Sequence, residues 1–290
     1  MSANERLATP SSVAYPEQRK EFFAKRESAL AIFSFMVFSF LYLPVGVLIV
    51  YSFNRDGVGG FPPKHLTLHW YAQLFSDGPI WDSVINSALV AAGAVVVALT
   101  VGLLAALALD RADFPGKSTF RRLVLLPLIL PGIITGLSLL MFAVSLQLSR
   151  SLTLVFFGHG TALVSVATTE LFAGLQKMER SQEEASLDLG ATPWQTFWRI
   201  TLPNLRLSLI AAGLLVFTLS MDEIAVTFFL IGSDNTLPLE IWARLRRGIT
   251  PEINAISTLI FVVSVALILV WYRIRTRTTG SEVQELLERP

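Results

Sequence analysis

Long blocks of apolar residues are the feature that most constrains how this chain can fold. A helix needs roughly 20 apolar residues to cross a bilayer, and six stretches of the sequence approach or exceed that length. Only 16% of the residues are charged, whereas soluble domains usually carry about 25%. We therefore predict an all-α integral membrane protein with six transmembrane helices. The predicted spans cover residues 29–53, 84–109, 123–146, 152–176, 206–231 and 254–272.

The basic residues lie predominantly on one side of these predicted spans. Of the 23 Lys and Arg residues, 17 fall in the two tails and in the loops 110–122 and 177–206. Because cytoplasmic loops carry an excess of Lys and Arg, both termini are predicted to be cytoplasmic. The predicted organisation is a cytoplasmic tail at 1–28, a six-span domain at 29–272 with a cytoplasmic loop at 177–205, and a cytoplasmic tail at 273–290.

Two pairs of residues in the third predicted span bear on how it packs. Gly132 and Gly136 form a GxxxG pair, which allows a neighbouring helix to approach closely. Pro127 and Pro131 must kink or break the helix, because proline lacks a backbone N–H and crowds the preceding turn. A kinked packing helix and a moving gate are both compatible with this pattern.

Composition excludes several kinds of chemistry. The chain has no cysteine, which excludes disulfides, thiol catalysis and Cys-ligated metal centres. Gly116-Lys117-Ser118 matches the end of a phosphate-binding loop, but residue 111 is Arg where that motif needs its first glycine, and no strand precedes it. We therefore predict a non-catalytic chain without a metal or cofactor of its own, driven by a partner chain or by an ion gradient.

The segment "EEASLDLGATPWQTFWRITLP", residues 183–203, interrupts the apolar sequence with charge, Gly and Pro. Gly190 can end a short helix, because glycine readily adopts the left-handed conformation found after helix C-termini. Thr192, Pro193 and Gln195 then have the order of a helix cap, a first helical residue and a capping box. The pattern predicts two short helices that meet at an angle at Gly190.

The side chains of this segment predict two different faces. Glu183, Glu184 and Asp188 of the first helix are expected to project toward water. The second helix is expected to carry an aromatic face that favours the membrane interface, formed by Trp194, Phe197 and Trp198. A docking element and an ordinary amphipathic connector both fit this local pattern.

The same segment resembles a known motif. Glu184-Ala185-Ser186, Gly190 and Ile200-Thr201-Leu202-Pro203 stand at the spacing of the EAA motif, EAA-x3-G-x9-I-x-LP, of binding-protein-dependent ABC importer permeases. The one departure is Ser186, where the family most often has Ala. The stretches "LTLHWYAQLFSDGPIWDSVINSALVA" and "TLPLEIWARLRRGITPEINAISTLI" are similar to the second permease of spermidine/putrescine-type systems.

This resemblance implies a fold, a set of partners and a contact surface. It implies the type I importer permease fold in the bacterial inner membrane, coupled to a dimer of cytoplasmic ATP-binding subunits that bind the ATP. It also implies a second permease, expected to be a different chain, a soluble substrate-binding protein, and a polyamine or other small amine as substrate. The residues implied at the ATPase contact are Glu183, Glu184, Ala185, Ser186, Asp188, Gly190 and Pro203.

Two acids interrupt the fifth predicted span. Asp222 and Glu223 lie within "FTLSMDEIAVTFFLI", in the predicted outer half of the bilayer. A charge within a span costs about 2.5–3.5 kcal/mol, so such residues usually face a bundle interior or a water-filled path. Three interpretations stay open: attraction of a cationic substrate along the translocation path, a structural ion pair or hydrogen-bond set with a neighbouring span, or a helix break that leaves the acids solvated. Consecutive helical residues point about 100° apart, so the two are not expected to face one ligand.

The same acids define the alternative function, a secondary transporter driven by an ion gradient that uses Asp222 and Glu223 as coupling groups. Such transporters typically contain inverted repeats with broken helices. Residues 29–146 and 152–272 show no convincing repeat, and a docking segment like 183–203 has no role in such a protein. The importer is therefore the favoured interpretation.

Three histidines are the remaining candidates for metal or proton chemistry. His65 and His69 have the i, i+4 spacing of a metal site, but no third ligand is near in sequence, and a strand-like or irregular loop is expected there. His159, in the fourth predicted span, is interpreted as a packed, hydrogen-bonded histidine, with a proton relay as the alternative.

The predicted outer segment 232–253 holds a cluster of arginines. Pro238 is placed to start a short helix and Gly248 to end it. Arg244, Arg246 and Arg247 are interpreted either as contacts to an acidic rim on a partner or as residues that lie in water.

Overall fold

The computed structural model describes residues 17–56, 62–248, 250–266 and 269, with side chains described from residue 30 onward. Within these ranges the secondary structure is helical apart from one antiparallel bridge between Asn54 and Leu66, which confirms the all-α class. The helices are α1 (Glu17–Ser52), α2 (His69–Phe75), α3 (Gly78–Arg111), α4 (Lys117–Ile129), α5 (Gly132–Ser145), α6 (Leu152–Gln176), α7 (Ser181–Asp188), α8 (Pro193–Thr196), α9 (Leu202–Met221), α10 (Ala225–Leu230), α11 (Leu237–Arg247) and α12 (Pro251–Ala266). A π-helical turn (Phe197–Thr201) lies between α8 and α9.

Several of these helices have the length and hydropathy of membrane spans. In the described part of the chain, four helices are long and apolar enough to cross a bilayer, and the bent pair α4–α5 makes a fifth if it counts as one span. Helix α12 is apolar but shorter, and most of the rest of the sixth predicted span lies outside the described residues, as does the predicted tail 273–290. The six-span arrangement and its orientation stay predictions.

The third predicted span is broken at Pro131, as predicted, whereas Pro127 lies inside helix α4. Helix α4 ends at Ile129, α5 begins at Gly132, and the two axes are bent by 107°. Pro131 is the residue before α5, where its fixed φ is compatible with a helix start and its missing N–H removes no helical hydrogen bond. Its carbonyl accepts from the Thr135 N–H at 3.1 Å. One residue, Pro131, therefore accounts for the position of the break.

The fifth predicted span departs from the prediction at its start. Helix α8, the π-helical turn and α9 form one continuous helix from Pro193 to Met221, so the prediction of a second short helix separate from the span is wrong. In the π-helical turn the Leu202 N–H reaches the Phe197 carbonyl. Pro203 follows at once. Because proline cannot donate and its ring crowds the carbonyl four residues back, the wider turn lets the helix continue through it.

Residues 72–249 form one compact unit, in which α3 packs along α6 and against α9. The buried face of α3 is made of small residues, and Ala94 and Ala98 are fully buried. A Cβ placed on Gly102 would lie only 2.8 Å from the Cβ of Ala167 in α6. Small residues let helix backbones approach closely, which is how helices associate in an apolar environment. Helices α3 and α6 are thus the central pair of this unit.

The predicted GxxxG pair packs on α10. A Cβ on Gly132 would lie 3.2 Å from the Cβ of Ala225, and a Cβ on Gly136 would lie 3.0 Å from both the Ala225 carbonyl oxygen and the Val226 Cα. These contacts at Gly136 are to backbone atoms, which cannot rotate away. The prediction that this pair lets another helix approach closely is confirmed.

Helix α11 has the predicted ends. Pro238 lies in its first turn, and Gly248 terminates it with a φ of 137°. Near its end the Arg246 guanidinium lies over the Trp242 ring, 5.9 Å from the ring centroid, and Arg247 is exposed.

Helix α11 is fastened to the start of α3 by a partly buried ion-pair network. Arg244 donates to both carboxylate oxygens of Asp77, at 2.7 and 3.0 Å, and to Glu240 at 2.8 Å. The side chains of Arg244 and Asp77 are only 15% and 19% exposed. For Arg244, both predicted environments, a partner's acidic rim and water, are therefore wrong. The hydrogen bond from Arg244 holds the pKa of Asp77 below its usual value.

Residues 17–56, 62–71, 250–266 and 269 are the described part of the other unit, in which residues 53–56 and 62–71 are tied together locally. The Arg55 N–H donates to the His65 carbonyl at 2.9 Å, and the Trp70 indole donates to the Asn54 carbonyl at 2.8 Å. His65 Nδ1 lies 2.8 Å from Asp56, whereas His69 is the first residue of α2. The irregular loop predicted here is present up to residue 68, and the rest of that stretch is helical.

The close approach at Gly136 predicts a specific sensitivity. Gly136→Val should lower the free energy of unfolding by about 1–3 kcal/mol, because the added side chain overlaps backbone atoms of α10. Gly46→Val is the matched control, since a Cβ at Gly46 meets nothing within 4 Å. Thermal unfolding of the detergent-solubilised chain, followed by tryptophan fluorescence, measures both. A Gly136→Val midpoint equal to that of the control would contradict the packing described.

The Asp77–Arg244 pair predicts a pH dependence. The folded-state pKa of Asp77 lies below the unfolded value of about 3.9. Its ionised form therefore stabilises the fold above that value, and this contribution is lost as pH falls through the lower, folded-state pKa. Asp77→Asn should cost about 1 kcal/mol near pH 7, and its thermal midpoint should converge on that of the wild type below about pH 4. Asp234→Asn, which removes an exposed carboxylate, is the control at pH 7; a constant gap between Asp77→Asn and wild type at all pH values would refute the assignment.

Candidate functional site

Helix α7 ends as the sequence predicts. Its last residue is Asp188, and Gly190 adopts a left-handed φ of 87° two residues later. The Gly190 N–H donates to the Leu187 carbonyl at 2.9 Å, and the Ala191 N–H donates to the Ser186 carbonyl at 3.1 Å. These two bonds form a Schellman motif, which satisfies carbonyls at the helix end. The chain therefore turns at Gly190 with a defined geometry.

The next helix starts at Pro193, three residues after Gly190. The Thr192 hydroxyl accepts from the Gln195 N–H at 3.3 Å, and the Gln195 side chain accepts from the Thr192 N–H at 2.9 Å. This is the predicted capping box, with Pro193 as the first helical residue. Both sides of the turn are thus fixed by local hydrogen bonds.

The three aromatic residues share one face of this helix, as their spacing predicts. The Trp194 ring centroid lies 6.0 Å from that of Phe197 and 5.4 Å from that of Trp198. Trp194 is 68% exposed and Trp198 is 49% exposed. The result is an exposed aromatic cluster, and its placement at the membrane interface stays a prediction.

Glu183 differs from the prediction. Its carboxylate accepts from the Arg111 guanidinium at 2.8 Å and from the Thr201 hydroxyl at 2.7 Å, and its side chain is 16% exposed. The prediction that Glu183 projects toward water is therefore wrong, because the end of α3 brings a guanidinium within reach. Glu183 and Arg111 lie 72 residues apart, and no local pattern in the sequence signals their contact.

The other implied contact residues divide by exposure. Ser186 faces inward, with its hydroxyl 3.1 Å from that of Thr196. Pro203 lies in the first turn of α9, after the π-helical turn. An exposed face remains on α7 and its C-terminal end, which we term the coupling surface; it comprises Glu184, Ala185, Leu187, Asp188, Leu189 and Gly190. Leu189 is an apolar residue at 90% exposure, and Leu187 is at 46%.

The acids in the fifth predicted span lie at a helix break. Helix α9 ends at Met221, and α10 begins at Ala225. Asp222 is exposed, whereas the Glu223 carboxylate accepts from the Val226 N–H at 2.9 Å and so caps α10. The structure contains the helix break of the third interpretation. It leaves Asp222 exposed, whereas the Glu223 carboxylate is hydrogen-bonded, so the two neighbouring acids have different environments.

His159 ties α6 to both sides of this break. It is 1% exposed, with Nδ1 2.8 Å from the Ser220 hydroxyl and Nε2 2.9 Å from the Thr227 hydroxyl. Ser220 precedes the break and Thr227 follows it, so one imidazole fixes the spacing of the two helix ends. The interpretation of His159 as a packed, hydrogen-bonded residue is confirmed. Over the ranges 17–56, 62–248 and 250–266, no group of three His, Asp or Glu residues is arranged to hold a metal.

Comparison of the sequence with known proteins gives close relatives. Residues 98–278 match the family described as binding-protein-dependent transport system inner membrane component. The chain is 35% identical over 248 residues to the putrescine transport system permease protein PotI of Escherichia coli K12, which covers 81% of this chain and 86% of the relative. It is 32% identical over 237 residues to the spermidine/putrescine transport system permease protein PotC of Haemophilus influenzae, which covers 81% of this chain and 92% of the relative.

Solved structures show the same fold. A bacterial ABC transporter involved in import of the acidic polysaccharide alginate covers 91% of this chain and 99% of its own, with a TM-score of 0.65 and 16% identity. The MetNI methionine ABC transporter, in an inward facing conformation, covers 73% of this chain and 99% of its own, with a TM-score of 0.52 and 17% identity. The fold is that of type I ABC importer permeases. The family match covers more than half of the chain, and the relatives exceed 30% identity over most of it. The chain therefore belongs to the inner membrane components of binding-protein-dependent transport systems, as a multi-pass, non-catalytic permease subunit of an ABC importer rather than an ion-gradient-driven transporter.

Proposed function

We propose that this chain forms half of a translocation path for a polyamine or another small cationic amine, and that its coupling surface docks on a separate cytoplasmic ATP-binding subunit. A second permease, expected to be a different chain, supplies the other half of the path. A soluble binding protein delivers the substrate to the outer side of the bacterial inner membrane. In this arrangement the membrane domain has six spans with both termini in the cytoplasm.

The observation that carries the docking proposal is the shape and composition of the coupling surface. Leu187 and Leu189 are apolar side chains left exposed at a helix end, beside the exposed acids Glu184 and Asp188. Exposed apolar residues rimmed by polar ones are typical of protein–protein contacts. Because hydrogen bonds fix both sides of the Gly190 turn, the surface is presented rigidly. A partner that moves this surface therefore moves the attached helices with it.

The substrate class is supported by the relatives and by the acidic break. The curated relatives are named as putrescine and spermidine/putrescine permeases. Asp222 is exposed at the break, whereas Glu223 is engaged as the cap of α10. Of the two acids, Asp222 is thus the one that is available to attract a cation on the translocation path.

The docking proposal is tested by changing the coupling surface. Glu184→Lys reverses a charge at the proposed contact and should reduce ATPase stimulation by loaded binding protein about tenfold or more, which corresponds to about 1.4 kcal/mol. Gly190→Val should have a similar effect, because a β-branched residue is strongly disfavoured at a φ of 87°. The assay uses the complete importer, reconstituted in liposomes, with ATP hydrolysis measured per assembled complex.

Matched controls separate docking from folding. Asp113→Lys makes the same charge reversal at a side chain that is 100% exposed outside the coupling surface, and it should behave as wild type. Gly190→Asn keeps a residue that tolerates the left-handed conformation. Its stimulation should lie well above that of Gly190→Val. Normal stimulation in both Glu184→Lys and Gly190→Val would show that the coupling surface does not dock on the ATPase.

The substrate proposal is tested at Asp222. Asp222→Asn should lower the kcat/KM of putrescine uptake about tenfold or more, because it removes the charge that favours an amine on the path. Asp234→Asn, at an exposed acid in the segment after α10, should leave uptake unchanged. Uptake of radiolabelled putrescine into proteoliposomes that contain the complete importer measures both variants. Wild-type uptake in Asp222→Asn would place the substrate path elsewhere.

A further inference from the structure

Helix α3 is long enough to connect the two sides of the membrane without a break. It runs continuously for 34 residues, and its one proline lies in the first turn. At 1.5 Å per residue this is about 50 Å, against a hydrocarbon thickness of about 30 Å. Small residues pack α3 closely along α6. Both of its ends therefore extend beyond the apolar layer.

The C-terminal end of α3 is fastened to α7 by charged side chains. Arg111, the last residue of α3, lies 2.8 Å from Glu183 and 3.3 Å from Asp110. Arg180, next to the start of α7, donates to the Asp110 carbonyl at 3.1 Å. The Asp110 side chain is only 6% exposed. We term these contacts the α7 clamp; they join the helix that carries the coupling surface to the end of α3.

The N-terminal end of α3 is fastened to α11 in the same way. Arg244 of α11 bonds to both oxygens of Asp77, the cap residue of α3. Further along α3, the Ser87 hydroxyl accepts from the Leu237 N–H at 2.8 Å. We term these contacts the α11 clamp. They hold the segment that the predicted topology places on the outer side of the membrane.

The Arg111 guanidinium makes the side-chain contact to α7 itself, and the Arg244 guanidinium makes the one from α11 to Asp77; Arg180 adds a second guanidinium to the α7 clamp. A displacement of α7 either breaks the Arg111–Glu183 contact or moves the end of α3 with it. A rigid element whose position both sites bias can carry coupling between distant sites, and α3 with its two clamps has that form. We propose that α3 links the ATPase side and the outer side of the importer mechanically, with Arg111 and Arg244 as the positioning residues that fasten it. This proposal rests on the proposed docking of the coupling surface.

The test measures coupling in the complete importer rather than stability. Arg111→Gln and Arg244→Gln are reconstituted in nanodiscs with the second permease and the ATP-binding subunits. ATP hydrolysis per assembled complex is measured without and with the binding protein saturated with putrescine or spermidine. Each variant should keep its basal hydrolysis and lose stimulation about fivefold or more, the size of a typical allosteric coupling.

The double variant distinguishes one linkage from two independent contacts. Because the clamps act in series on one helix, Arg111→Gln combined with Arg244→Gln should lose no more stimulation than the worse single variant. Arg111→Lys should retain more stimulation than Arg244→Lys, since a lysine can replace the single contact to Glu183 but not the paired contact to Asp77. Arg122→Gln and Arg247→Gln, at exposed arginines, are the controls and should behave as wild type.

Three outcomes would overturn the inference. One is full stimulation in both single variants, and another is a double variant whose loss is the product of the two single losses. The third is a lower yield of assembled complex with unchanged stimulation per complex, which indicates that the clamps only stabilise the fold. If Glu184→Lys loses stimulation while Arg111→Gln and Arg244→Gln keep it, the proposed docking stands and the α3 linkage falls. If Glu184→Lys and Gly190→Val also keep it, the proposed docking itself falls.

Discussion

The close contact between α3 and α6 is the interaction on which the unit 72–249 depends. Lipid tails are as apolar as Leu side chains, so burial of large apolar residues gives helices little reason to associate in a membrane. Close packing of one helix backbone against another does favour association, and Ala98, Gly102 and Ala167 make it possible here. Helix α9 then packs on this pair through Val216. With α3 fixed in this way, the residues at its two ends have fixed positions from which to hold α7 and α11.

A second constraint explains why so many polar residues of the apolar segments are engaged in local bonds. Backbone groups at membrane depth have no water to bond, so each break in a helix has to be repaired by the protein. At the acidic break the Glu223 carboxylate satisfies the Val226 N–H, and His159 bridges the hydroxyls that flank it. At the break between α4 and α5, Pro131 has no backbone N–H that could be left without a hydrogen bond. An ionisable residue in a span is therefore not by itself evidence of a substrate contact. Glu223 is an example, because its carboxylate satisfies the backbone at the break, whereas the neighbouring Asp222 is exposed.

Features encoded by residues near one another in sequence were predictable. The apolar blocks, the Schellman turn at Gly190, the capping box at Thr192, the break at Pro131 and the ends of α11 depend on residues within a few positions of each other. Hydrogen-bond chemistry and proline geometry determine such features locally, so the sequence is sufficient to predict them.

Features that depend on distant pairs were not predictable. Glu183 was expected in water, and Arg244 in water or against a partner, because their partners lie 72 and 167 residues away. A local pattern does signal Asp77 as a helix cap, since it precedes Gly-Pro, but it cannot indicate which cation arrives from α11. The continuous helix through Pro203 was also missed, because a proline normally signals a helix start and the π-helical turn that accommodates it has no simple sequence signature.

Because of that π-helical turn, the orientation of the coupling surface depends on the length of the segment before Pro203. A π-helical turn accommodates one residue more than an α-helical turn, so it rotates everything before it by about 100° relative to an uninterrupted helix. The coupling surface and Trp194 lie before the turn, Phe197 and Trp198 lie within it, and the body of α9 lies after it. The direction in which the coupling surface points is therefore set by the number of residues between Thr192 and Pro203 as well as by their identity. A chain with one residue fewer there would keep every side chain of the motif and present it to a different side.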